Sequence, residues 1–240
     1  SATISSASGG NFENLVVDAT PAGTTVTDTI NTATVSLTAT TSVAEGGSIV
    51  YTASLTNPAE TAVSVTLSNG ATITIAAGAS SGTVSVAAPS DDVYVDAGNV
   101  SATISSASGG NFENLAINPA AATTAVTDTI NTTTVSLSGE STVSEGASST
   151  YLLSLTSPAQ GNVTVTLSYS GTAANGSDFT GTTTVTIPNG ASSASFGIPT
   201  IDDTLAEGSE NLTISLVNAA GGNFENLAIS GSNGSITTTL

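Results

Sequence analysis

Three observations predict an all-β fold made of tandem sandwich units. Short segments alternate aliphatic with hydroxyl side chains, as in Val63-Ser-Val-Thr-Leu67 and Val163-Thr-Val-Thr-Leu167, the period-2 pattern of strands with one packed and one wet face. Turn signals rich in Gly, Asn and Pro interrupt these segments, and no helix-length 3.6-residue apolar period appears. Finally, residues Ser1 to Leu15 recur unchanged from Ser101 to Leu115, an offset of 100 residues, so the architecture is repetitive.

In the first complete unit, strands are expected near 34–40, 49–56, 62–68, 71–76, 82–87, 99–105 and 114–127. Thr, Val, Ser and Ile dominate them, residues that suit a pleated, half-buried surface. Seven short alternating segments in a unit of ~100 residues predict an Ig-like, Greek-key β-sandwich. Asn57-Pro58 and Ser157-Pro158 mark the loop after the second strand, and Gly-Gly-Asn before Phe112 marks the turn joining the last two. The same offset of 100 relates Thr27-Asp-Thr-Ile-Asn31 to Thr127-Asp-Thr-Ile-Asn131 and Val43-Ala-Glu-Gly46 to Val143-Ser-Glu-Gly146. Gly-Gly-Asn-Phe-Glu-Asn-Leu returns at Gly221 to Leu227, now at an offset of 112. The extra residues are expected near 169–181, as a longer middle loop. The chain therefore divides into residues 1–30, the C-terminal hairpin of a preceding repeat, frayed or resting on its neighbour; 31–130, a first repeat; and 131–240, a second.

Composition narrows the function. There are 18 Asp and Glu, and no Lys, Arg, His, Cys, Met or Trp. A nucleic-acid binder needs cations against phosphate, and a peripheral membrane protein needs them against anionic lipid; neither partner is expected. Most acyl-transfer, redox and zinc chemistry needs His, Cys or Lys, which leaves two-carboxylate hydrolysis as the one enzyme class to weigh. The acidic residues map to one domain end and not to a facing pair in a cleft, so no enzyme is expected. Without Cys, stability must come from a buried core. No leader peptide and no bilayer-spanning apolar run is present, and the chain reads as an internal piece of a secreted protein.

In such a sandwich the loops after the first, third and fifth strands share one end with the exit of the last strand. Repeat one places Glu45, Asp91, Asp92, Asp96 and Asp128 there, and repeat two places Glu145, Asp178, Asp202, Asp203, Glu207 and Glu210. Asp-Asp-x-x-x-Asp/Glu keeps its spacing in both units although the surrounding residues differ. Two carboxylates ~4 Å apart repel by roughly 4 kcal/mol at an effective dielectric near 20, and no basic residue offsets this. A metal cation or raised pKa values must relieve the strain. Oxygen ligands in number, without N or S donors, on flexible loops, select Ca2+; the alternative is a solvating acidic surface. Glu60 and Glu140 fall outside the cluster. Glu13, Glu113 and Glu225 read as solvated turn residues at the opposite end, the alternative being contact with the preceding linker or its ion.

Repeat two resembles the Calx-beta family through Val143-Ser-Glu-Gly146, Gly171-Thr-Ala-x-x-Gly-x-Asp-Phe179, Ile201-Asp-Asp203 and Glu207-Gly-Ser-Glu210, in that order. The resemblance implies calcium ligation by Glu145, Asp178, Asp202, Asp203, Glu207 and Glu210; the family's last acidic group, after the final strand, has no counterpart before Leu240. Repeat one lacks the Gly-Thr-Ala segment and carries Asp96 where repeat two has Glu207, so its site is expected to be smaller or weaker. The Thr-Asp-Thr-Ile-Asn-Thr linker and the Gly-Gly-Asn-Phe-Glu-Asn-Leu turn resemble the repeat region of giant Lap-type, type I secreted adhesins of Gram-negative bacteria. That resemblance implies calcium-stiffened extender repeats on the cell surface, contacting neighbouring repeats of the same chain and reaching surfaces or other cells through domains not present here, in attachment and biofilm formation. A calcium-dependent glycan-binding module is the alternative, poorly supplied with aromatic side chains for stacking.

Overall fold

The computed structural model describes residues 1–204 and 208–240 and, among them, contains strands and no helix. Two successive sandwiches account for the chain from residue 32 onward.

In the first unit, β1 (Thr32–Ala39), β3 (Ser48–Leu55), β6 (Ser81–Ala87) and β9 (Asn114–Ile117) form one sheet in the order β6-β3-β1-β9. The facing layer comprises β5-β4-β8 and β2-β10-β7, from β2 (Ser42–Ala44), β4 (Val63–Leu67), β5 (Thr72–Ile75), β7 (Gly98–Ala102), β8 (Ile104–Gly109) and β10 (Ala122–Thr127). The alternation read from sequence decides which side chains meet between the layers. Val35, Ile49, Tyr51, Ala53, Val63, Val65, Ile73 and Ile75 are all buried, while the hydroxyl residues between them face outward or lie half-buried. Each fully buried aliphatic contributes about 1.5–3 kcal/mol relative to exposure, which is how a chain without disulfides holds these layers together.

The sixth and seventh expected strands are each broken in two. Thr103 interrupts the sixth, donating its N–H to Ser68 Oγ at 3.1 Å, and the β4 register shifts beside it between Thr66 and Leu67. Pro119, which has no N–H to give a ladder, interrupts the seventh. The break lets β9 pair parallel with β1 in one sheet and β10 pair with β7 and β2 in the other. That change of sheet brings the end of β10, and Asp128 after it, beside the loop that follows β2.

The second unit repeats the plan with β11 (Thr132–Gly139), β12 (Ser148–Leu155), β15 (Ser193–Pro199) and β17 (Asn226–Ile229) in order β15-β12-β11-β17. Its other sheet runs β14-β13-β16-β18, from β13 (Val163–Gly171), β14 (Thr184–Ile187), β16 (Asn211–Gly221) and β18 (Ser235–Thr239). The extra residues lie between β13 and β14, as expected. They fold Phe179 into the core, 1% exposed, against the Tyr169 ring at 5.3 Å.

Residues 1–30 make one isolated bridge, Ala2 to Ala22, and carry exposed Ile4, Phe12, Val16, Val26 and Ile30. Among the described residues no helix is long and apolar enough to cross a membrane.

Candidate metal centre

Three loops meet at one end of the first unit. Gly46 follows Glu45 with φ 66°, a left-handed turn that glycine adopts without strain. The turn directs the Glu45 N–H to Thr127 O at 3.0 Å and the Gly46 N–H to Pro89 O at 2.7 Å. Glu45 thereby sits between the exit of β10 and the β6–β7 loop, residues 88–97. Glu45, Asp96 and Asp128 each place a carboxylate oxygen within 4.8 Å of the others. Among the described residues this is the group of three or more acidic side chains that converges so closely.

Glu45 is buried, Asp128 half-buried and Asp96 exposed, and burial makes the Glu45 charge costly without a counter-charge. Glu45 is 7% exposed, and its carboxyl is pushed up to about 7, by burial first, then by a hydrogen bond with Asp96 and the charges of Asp96, Asp128 and Asp92. Glu45 Oε2 and Asp128 Oδ1 are buried with no hydrogen-bond partner, although buried polar atoms are nearly always satisfied. A hard cation bound by oxygens fits such a donor set, and no N or S ligand competes for it.

The other acidic residues named for repeat one lie in the same loop but face elsewhere. Asp91 packs beside Gly46, where a Cβ would stand 3.5 Å from its own Cβ. Its Oδ1 accepts hydrogen bonds from Thr129 Oγ1 and, at 2.8 Å, from Asn131 Nδ2. Asp92 Oδ1 accepts from the Tyr94 N–H at 2.7 Å, and its carbonyl accepts from Asn131 Nδ2 at 2.8 Å. Both therefore shape the loop and tie it to the linker.

Among the described residues of repeat two, no three carboxylates converge as closely. Asp202 packs beside Gly146, next to Glu145, as Asp91 does beside Gly46; a Cβ on Gly146 would lie 3.1 Å from its Cβ. Asp178 Oδ2 accepts the Ala174 N–H at 2.6 Å, which, with the Ser177 hydroxyl and Glu210, holds its carboxyl below the usual range. The Asp178 carbonyl accepts from Ile201 N–H at 2.9 Å, adjacent to Asp202 and Asp203. Glu210 exchanges main-chain hydrogen bonds with Leu240 at 3.1 and 2.9 Å. Glu145 is exposed, unlike Glu45. Thr142 pairs with Thr239 as Ser42 does with Ala125, which aligns Leu240 with Val126. Glu207 lies outside the described residues.

The opposite end of each unit departs from the favoured sequence reading of solvated turns. Glu113 Oε2 accepts the Asn31 N–H at 2.5 Å, and Glu225 Oε2 accepts the Asn131 N–H at 2.6 Å. These turn glutamates thus grip the linker entering their own unit, the alternative to a solvated turn that the sequence left open; the interdomain contacts of Tyr94 had no such forerunner. Tyr94 leaves the β6–β7 loop of the first unit and stacks on Phe224 of the second at 5.6 Å, its hydroxyl donating to Pro158 O at 2.6 Å. Val95 N–H donates to Asn223 O, and Glu225 N–H to Val93 O, both at 3.0 Å. The available signal was a tyrosine set among the acidic residues of a loop, where no core position needs it.

The family model described as the LapA domain matches residues 31–129 and again 131–239. The chain belongs to the LapA domain family. Its two LapA domains are repeats of a bacterial adhesin, from a family of adhesive and not catalytic modules found at the cell surface or in secreted material. Comparison with curated proteins gives no match. Among solved structures, an apo-form Calx CBD1 domain is similar at 23% identity and a TM-score of 0.38, over 45% of this chain and 94% of that one. A CBD12 from CALX1.2 is similar at 11% identity and 0.37, over 85% and 98%. The calcium binding domain CBD12 of CALX1.1 is similar at 13% and 0.37, again over 85% and 98%.

Proposed function

We propose that these LapA domains are a calcium-stiffened extender segment, holding a terminal adhesive domain away from the cell for surface attachment and biofilm formation. The observation that carries the reading is the cluster of Glu45, Asp96 and Asp128, with buried carboxylate oxygens that lack partners and no basic residue in the chain to answer them. Glu45 comes from the loop after β2, Asp96 from the β6–β7 loop and Asp128 from the start of the linker. When bound there, Ca2+ supplies the positive charge that lets these three segments stay together. Asp91 and Asp92 fix the same loop to Thr129 and Asn131, so order at the carboxylates is transmitted to the linker. Glu145, Asp178, Asp202, Asp203, Glu207 and Glu210 are the corresponding candidates in the second domain.

Mechanically, the linker is the hinge between domains, and domain motion is the default where an interface is small. Binding that requires the folded loops stabilises them by mass action. Small-angle scattering in calcium and in EGTA tests this: the maximum dimension is expected to be larger and the interdomain angle narrower in spread with calcium. Identical curves, together with no heat on titrating calcium, would sink the proposal.

A further inference from the structure

The seam between the two domains is a plug in a socket. Tyr94 and its neighbours Val93 and Val95 fill a recess of the second domain formed by Asn131, Pro158, Gln160, Asn223, Phe224 and Glu225. The first domain carries the same recess, open: a cleft lined by Asn31, Pro58, Glu60, Asn111, Phe112 and Glu113, among others. These are the same positions, with Gln160 replaced by Glu60. The linker is already gripped in both, through Glu113 and Glu225 respectively. In the open copy Asn111 Nδ2 rests on Glu60 Oε2 at 2.7 Å; in the filled copy Asn223 Nδ2 turns to Val95 O at 3.3 Å and Gln160 Oε1 at 3.4 Å.

One heptapeptide therefore appears in three settings. Phe12, in residues 1–30 with their one isolated bridge, is 67% exposed; Phe112, in a domain with an open socket, is half-buried; Phe224, in a domain with a filled socket, is 8% exposed. What separates the last two is the tyrosine loop. The sequence also says what stands before the open socket. Residues 1–15 are those of 101–115, the closing strands of a domain, and Ile4 and Val26 are exposed where Ile104 and Val126 are buried.

We propose that the open socket receives the tyrosine-bearing β6–β7 loop of a LapA domain placed before Asn31, and that this joint forms without a bound ion. The occupant is an extended Val-Tyr-Val segment flanked by aspartates. It offers a ring to Phe112, a hydroxyl to Pro58 O and main-chain groups to Asn111 and Glu113. The proposal does not rest on calcium at the carboxylate cluster, and the two readings fail separately.

The test extends the full chain with a copy of residues 31–100 in front of Ser1, so that residues 1–30 close a complete domain. Amide hydrogen exchange at Glu113, measured by NMR in EDTA, reads the joint directly, because the Glu225 N–H bonded to Val93 O is its filled counterpart. Exchange at Glu113 is expected to slow by roughly tenfold or more relative to the unextended chain. Alanine at the copy's counterpart of Tyr94 should abolish the slowing, with the copy's strand amides still protected; phenylalanine there, which keeps the ring, should retain most of it. A Glu113 rate unchanged by the extension, slowing that survives the alanine variant, or slowing that appears only with calcium would each overturn the proposal.

Discussion

Replacing Tyr94 by alanine should uncouple the two domains. The ring stacks on Phe224 at 5.6 Å, an arrangement worth about 0.5–1.5 kcal/mol beyond area burial. The hydroxyl bonds Pro158 O at 2.6 Å, worth about 0.5–1.5 kcal/mol net. Together they set a loss of about 2 kcal/mol, and Phe224, otherwise 8% exposed, gains solvent contact besides. For a domain of this size that loss lowers the midpoint of the less stable domain by about 8–16 °C. Calorimetry of Tyr94→Ala in EDTA should show the fall, with Tyr94→Phe losing about half as much. The coupling argument fails if Tyr94→Ala melts with the parent chain while the Asn223 region keeps its parental hydrogen-exchange protection.

Four further outcomes follow from particular atoms. Asp128→Asn or Asp96→Asn should weaken calcium binding to the first domain at least tenfold by calorimetry, whereas Glu140→Gln, outside the cluster, should leave it unchanged. In the metal-free chain the folded Glu45 keeps its proton to about pH 7 against an ordinary value of 4.5; the folded state holds the extra proton, so stability falls as pH rises through that window and is level above it in this respect. The decline in EDTA should be shallower in Glu45→Gln, and parallel slopes in the two proteins would contradict it. Tyr151→Phe should cost about 1 kcal/mol, because its hydroxyl is paired with Thr238 Oγ1 at 2.7 Å; Tyr51→Phe should be neutral or stabilising in urea unfolding, because the Tyr51 hydroxyl is buried without a partner. Gly110→Ala should destabilise the first domain by at least about 1 kcal/mol, since Gly110 has φ 82° and a Cβ there would meet the Phe112 ring at 2.3 Å.

Strand identity was legible because it is local. A strand with one buried face writes its period into consecutive residues, so Val63, Val65 and Leu67 announced both an element and its inward side. Repetition announced the rest: two copies of Val-x-Glu-Gly and of Asp-Asp-x-x-x-Asp/Glu marked loops that share one end of a sandwich. The absence of any basic residue was equally plain, and with it the problem of charge at that end.

What sequence could not settle was convergence, which depends on how strands cross between sheets. Glu45, Asp96 and Asp128 meet because the chain breaks at Pro119 and β10 joins the second sheet beside β2; Glu145 has the same local motif and is exposed. The seam was hidden for the same reason. Tyr94 and Phe224 lie 130 positions apart, and only the packing of one domain's loop on the next domain's turn makes them neighbours. Local pattern fixes which face of a strand is buried, while the energy of a buried charge or a stacked ring belongs to a pair whose distance no local pattern contains.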